Sequence, residues 1–204
     1  MGQLFAAVKP LSLRSLIALR RYAPIDDPED SEPVLEMLRH LGSLLSNVTS
    51  SDESRPIVPL HTSFRDFLTN KESVAFYVDL GESHRQLAHA CLGLMLDDLK
   101  FNICELESSY IANSDVPDLE SRISKYIPDA LSYACLFWDN HLKHVDFEHD
   151  LFTKLRSLLE TKFLFWLEVL SMKSSVGFAS RGLSSLMTWL QFDQQKVGTS
   201  YHRI

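Results

Sequence analysis

Glycine is scarce in this chain, with 7 among 204 residues, and none falls in a Gly-x-x-x-x-Gly-Lys-Ser or Gly-x-Gly-x-x-Gly pattern. Phosphate cradles need glycine because the backbone must approach the anion with no Cβ between them. An autonomous P-loop or Rossmann nucleotide domain is therefore excluded. Cysteine is scarcer still: Cys91, Cys104 and Cys135 form no Cys-x-x-Cys pair and sit among apolar neighbours. An odd number of such thiols predicts reduced core cysteines and a cytoplasmic protein. Long apolar runs are also missing, because Glu168 breaks the stretch Phe163–Leu170 and the apolar start ends at Lys9-Pro10. No membrane association is expected. Gly2 opens a segment only superficially like an acylation signal, and a helical turn is the expected reading.

An excess of positive charge is lacking too, with 20 basic against 27 acidic side chains and a net charge of −7. Residues 1–80 carry 8 basic and 11 acidic groups, so no basic module is hidden by an acidic remainder. Such a surface offers little attraction to a polyanion, and no nucleic-acid partner is expected. What the chain does have is a core: 45% of its residues are apolar and 10% aromatic. At this length a folded chain removes about 70% of its extended surface from water.

The expected fold class is mainly α: a small winged-helix domain with a short β-hairpin over 1–80, then a helical bundle or short irregular helical array over 81–204. Leu4–Val8 reads as the end of a helix whose beginning is missing, stopped by Pro10. Ser12 caps a second helix over Leu13–Arg21, and Pro33–Leu41 supplies the third. Ser43–Val48 and Pro56–His61 would pair as the hairpin. Phe64, Phe67 and Leu68 mark a short helix ending near Asn70, and Val74–Asp79 a brief extended piece.

Beyond it, Glu82–Leu99 has a wide stripe, Leu87, Ala88, Cys91, Leu92, Leu94 and Met95, that must face more than one partner. Glu107–Leu119 reads as an irregular connection. Pro128 opens a helix through Leu142, another starts near Phe147 and runs past Trp166, and the last covers Val176–Leu190. Stripes on successive helices can be buried only against one another.

Candidate chemistry is sparse. His141, His144 and His149 with Asp146, Glu148 and Asp150 are metal-ligating types close in sequence, but the His-Glu-x-x-His spacing is absent. The solvated end of one helix and the cap of the next is the stronger reading of them. His84 and His89, five apart, fall on different sides of one helix. No Gly-x-Ser-x-Gly elbow orients a nucleophile, and burial would keep Cys91 and Cys135 protonated. Glu168 is the single acid in an apolar octet, where it either faces solvent or pairs across a helix junction. A recognition helix at Pro33–Leu41 would bring Glu32 and Glu36 to a DNA backbone alongside Arg39 and His40, which disfavours DNA binding.

Leu41-Gly-Ser-Leu-Leu and Ile57-Val-Pro-Leu-His-Thr-Ser-Phe-Arg-Asp-Phe-Leu resemble the winged-helix region of fungal NACHT-type signal-transduction NTPases, relatives of vegetative-incompatibility proteins. The likeness continues through His84-Arg-Gln-Leu-Ala, Tyr133-Ala-Cys-Leu-Phe-Trp-Asp-Asn-His-Leu and Phe165-Trp-Leu-Glu-Val-Leu-Ser. It implies a noncatalytic regulatory or scaffolding segment whose partners are intramolecular NACHT and sensor modules. ATP or ADP would belong to the upstream module, with no cofactor for this chain alone. By resemblance to the Met-His-Asp motif, His61 would contact the nucleotide diphosphate, and Thr62 departs from the motif's aspartate. The rivals are a stand-alone protein-interaction adaptor, a metal-dependent hydrolase and a DNA-binding protein. If the chain is cut from a larger switch, an apolar patch should lie open at Leu4, Phe5 and Val8. The sequence leaves the oligomeric state open.

Overall fold

A computed structural model describes residues 2–24, 38, 41–48, 52–72, 77–108 and 110–200, with side chains given except at Thr62 and beyond 191. Among these residues nine α-helices form the fold: α1 Gly2–Ala6, α2 Leu13–Arg20, α3 Thr62–Thr69, α4 Leu80–Asp98, α5 Leu119–Tyr126, α6 Asp129–Leu142, α7 His149–Thr161, α8 Phe163–Met172 and α9 Gly177–Ser200. A 3-10 turn, Asn113–Asp115, lies in the connection before α5.

Helix α4 is the axis of the bundle. Its N-cap is Asp79, whose carboxylate accepts from the N–H groups of Gly81 and Glu82, satisfying two donors that the first turn leaves without partners. Leu87, Cys91, Leu92, Met95 and Ala90 are all essentially solvent-free. Burial on so many sides follows from four neighbours, since α1, α2, α6 and α7 all pack on it. The expected wide stripe is thus filled.

The winged helix and its hairpin are not there. No β-strand occurs among the described residues, and Ser12↔Pro56 and Leu45↔Pro59 are isolated antiparallel bridges. The composition explains why no ladder grows. Pro56 and Pro59 have no N–H to donate, so a returning strand loses two ladder bonds within four residues. On the other side Leu44 and Leu45 donate back to Leu41 in tight turns, and Asn47 sits in the left-handed region at φ 60°. The segment still holds its place through Ser46 N–H to Val58 O (2.8 Å) and Ile57 N–H to Leu11 O (2.9 Å). The third expected helix, Pro33–Leu41, lies outside the described residues except at Leu38 and Leu41, as does the first half of the expected extended piece over 74–79.

Two further boundaries differ from expectation. The helix expected from Phe147 past Trp166 is two helices, because the Lys162 backbone leaves helical geometry (φ −125°, ψ 0°) between α7 and α8. That bend aims Trp166 into the core, where its Nε1–H donates to Cys135 O at 2.9 Å and its ring meets Trp138 edge-on at 5.8 Å. Helix α5 was not expected at all. Leu119, Ile123 and Tyr126 recur at helical spacing, but the stripe is short, none of its residues is buried, and Ile123 packs against the edge of the core.

Leu4 and Phe5 are buried, at 8% and 4% exposure, and only Val8 is open at 44%. Helix α1 packs on α4, and Phe5 meets the Phe64 ring edge-on at 5.8 Å. The expected open patch at Leu4, Phe5 and Val8 is therefore absent. No helix among the described residues is long and apolar enough to cross a membrane.

Candidate functional site

The histidines and acids that the sequence brackets over 141–150 separate into two clusters. Helix α6 ends by carrying His141 inward, with no exposed surface, while His144 lies outside on the turn that follows. His84, one turn into α4, bridges them: its Nδ1 lies 2.9 Å from His141 Nδ1, and its ring stacks on His144 with centroids 4.2 Å apart. On the far side of His141, Nε2 lies 2.8 Å from the Tyr133 hydroxyl, which accepts from Val8 N–H at 3.1 Å. Burial drives both imidazoles toward their neutral forms. His84 falls to about 4, through burial and then the nearby charges of His144 and Arg65. His141 falls to about 3, through burial and then His84 and His144, with Asp139 opposing.

The second cluster joins α4 to the start of α7. Glu148 occupies the N-cap of α7 without capping it, because its carboxylate is turned to Arg85, which donates through Nε at 3.0 Å and Nη2 at 3.2 Å. His89 is buried beneath this pair. Lys154 Nζ donates to His89 Nδ1 at 2.9 Å, so the imidazole proton sits on Nε2. That nitrogen is 3.1 Å from Glu148 Oε2 but off the line of a hydrogen bond. Burial lowers the His89 pKa despite Glu148 and Asp150. For Glu148, burial pushes upward, and the bonds from Arg85 together with the nearby His89 imidazole win, lowering it.

These positions decide the metal reading. His141 and His144 belong to one cluster, Glu148 and Asp150 to the other, and His149 lies out by Phe152. Among the described residues no three His, Cys, Asp or Glu side chains are arranged to hold a metal ion. A lysine ammonium at His89 Nδ1 occupies the place a cation would take.

Sequence reasoning missed two interhelical contacts, His84 to His141 and His89 to Glu148. Their signal was the 140° between positions five apart on a helix, which sends one imidazole to the end of α6 and the other to the start of α7.

The other singled-out residues are structural. Glu168 accepts from the backbone N–H groups of Asn102 (3.1 Å) and Ile103 (3.2 Å), pinning the turn after α4. Cys91, Cys104 and Cys135 are free and buried, and burial raises all three thiol pKa values.

His61 is exposed and forms the N-cap of α3. Its Nδ1 accepts from Ser63 N–H at 3.2 Å and faces Ser63 Oγ at 2.7 Å. The ring proton is therefore on Nε2, directed away from the helix. Leu60 before it is 63% exposed and Phe67 on the same helix 51%. This corner can offer one N–H donor framed by apolar surface, and nothing else on it resembles a phosphate cradle.

No family model, no curated protein and no solved structure matches this chain.

Proposed function

We propose that this chain is a noncatalytic regulatory segment of a NACHT-type signalling NTPase, working through intramolecular protein contacts. The observation that carries the reading is the Leu60–Phe67 corner, where the most family-like block of sequence leaves Leu60 63% exposed beside a cap histidine whose Nδ1 is taken by Ser63 N–H. A large apolar side chain exposed beside a donor suits a face that another module covers. In the complete assembly His61 Nε2–H would reach the diphosphate of a nucleotide held by the upstream module. The rigid α4 bundle would carry the docked arrangement onward.

The reading frame upstream tests this directly. It should encode Gly-x-x-x-x-Gly-Lys-Ser or -Thr followed by an acidic strand, and an in-frame stop ahead of Met1 would overturn the proposal. In the full-length protein, His61→Ala should weaken ADP binding about tenfold, because a hydrogen bond to a charged group contributes about 1.5–3 kcal/mol. By calorimetry the chain alone should bind no ADP.

A second reading is a stand-alone protein-interaction adaptor. The covered N-terminal turn favours it, since Leu4 and Phe5 are packed rather than left for a missing module. The upstream stop that sinks the first reading would leave this one standing.

A further inference from the structure

Between the end of α6 and the face of α9 lies an open cavity of about 680 Å³, whose walls include Lys143, Val145, Phe147, Ser184, Thr188 and Trp189. Its volume falls in the range of small-ligand sites, which are largely apolar with a few placed polar groups. One wall is aromatic: Phe147 and Trp189 lie 4.9 Å apart at 30°. The wall is fixed, since Trp189 is 5% exposed and its Nε1–H donates to Val145 O at 2.8 Å.

The base of the cavity is an ion cluster. Asp139, 1% exposed, accepts a two-pronged bond from Arg181 (Nε at 2.9 Å, Nη2 at 2.7 Å) and a third from Ser185 Oγ at 3.2 Å. Three of its roughly four lone-pair sites are thus used, and Lys143 Nζ pairs with it more distantly, at 3.5 Å, with its side chain 45% exposed. With Asp146 counted, two cations meet two carboxylates around the cavity, and Lys143 is the more exposed of the cations, at 45% against 36% for Arg181. Asp146 also lines the cavity but has an interaction of its own. Ser184, exposed on α9, adds a hydroxyl to the same mouth.

We propose that this cavity binds a small organic anion with a flat apolar body, the body lying against Phe147 and Trp189 and the negative group at Lys143. The arrangement is independent of the Leu60–Phe67 corner and of any nucleotide-binding module.

Two naphthalene probes of similar shape test it: 8-anilinonaphthalene-1-sulfonate, which carries the anion, and N-phenyl-1-naphthylamine, which does not. The sulfonate should bind the folded chain at one site with energy transfer from tryptophan. Lys143→Glu should weaken the sulfonate about tenfold and leave the naphthylamine within twofold. Thr188→Trp, an exposed position that would fill the cavity, should abolish the binding of both. Circular dichroism and melting of each variant establish that it is folded. Sulfonate binding unchanged by Thr188→Trp would overturn the site. Equal effects of Lys143→Glu on the two probes would overturn the anionic class.

Discussion

His84 and His141, 57 residues apart, face each other Nδ1 to Nδ1 at 2.9 Å across the α4–α6 contact. One nitrogen must donate and the other accept. Val8 N–H already donates to the Tyr133 hydroxyl, so the arrangement that uses every proton runs from the phenol to His141 Nε2, and from His141 Nδ1 to His84 Nδ1. A further proton on His84 would set two donors against each other.

That geometry makes the fold sensitive to acid. Both folded-state pKa values, about 4 and about 3, lie below the ordinary 6.5, and His89 is lowered as well. Between the two values the unfolded chain binds protons that the folded chain does not, so stability is full above about 6.5 and falls as pH drops toward 4. The facing charges act in both directions: Arg65 and Lys154 favour the neutral rings, while Asp139, Glu148 and Asp150 favour protonation. The melting temperature should fall by on the order of 5 °C between pH 7 and pH 5. His84→Gln should flatten the profile, and an unchanged slope would exclude the histidine pair as its source.

How far the sequence shows the fold depends on where the determining contacts lie. Helix α4 was legible because its own stripe, from Leu87 to Met95, states its burial. The hairpin was misread because Ser43–Val48 can extend as a strand when read alone, whereas the missing donors at Pro56 and Pro59 act on the partner strand. The break at Lys162 falls in the polar stretch 160–162, which has no glycine or proline to mark it, and Trp166 bonded to Cys135 O in α6 holds the second helix in place. Of the site, the short helix that follows His61 was legible from Phe64, Phe67 and Leu68, and it is this helix that His61 caps. The splitting of His141 and His144 from Glu148 and Asp150 required knowing where α4 passes, and nothing near residue 141 says so.

Asp139 and Arg181 should prove strongly coupled. The carboxylate is buried and the guanidinium grips it with two bonds, with a third bond from Nη2 to Leu136 O at 2.5 Å. Arg181→Met would strand a buried charge with only Lys143 near it, and should cost about 2–4 kcal/mol. Removing both, as Asp139→Leu with Arg181→Met, should cost less than the sum of the single changes by about 2 kcal/mol. Urea unfolding of the four proteins measures the coupling, and additive losses would mean that the pair contributes only packing.

The thiols offer a test of the core itself. Cys91 and Cys135 are fully enclosed and Cys104 is buried near Glu168, so each is held protonated and out of reach. The thiolate is the reactive species. The native protein should show no fast-reacting thiol toward Ellman's reagent at pH 8, and all three should titrate in guanidinium. One fast thiol in the native protein would mean that α4, α6 or the turn holding Cys104 opens on the time scale of the reaction.

Gly182 sets how closely α9 approaches the tryptophan pair. A Cβ built there would lie 2.9 Å from Trp138 Cζ2 and 3.3 Å from Trp166 Cη2. Both rings are 1% exposed, and neither can swing away without opening the core. Glycine to alanine inside a helix ordinarily stabilises by about 0.5–1 kcal/mol, but overpacking against rigid side chains costs about 1–3 kcal/mol. The second effect is the larger here, so Gly182→Ala should lower the melting temperature. Gly177→Ala, at the start of the same helix with nothing within 4 Å of its Cβ, isolates the backbone effect and should leave the melting temperature unchanged or raise it. If both variants raised it, the close approach of α9 to Trp138 would not exist in solution.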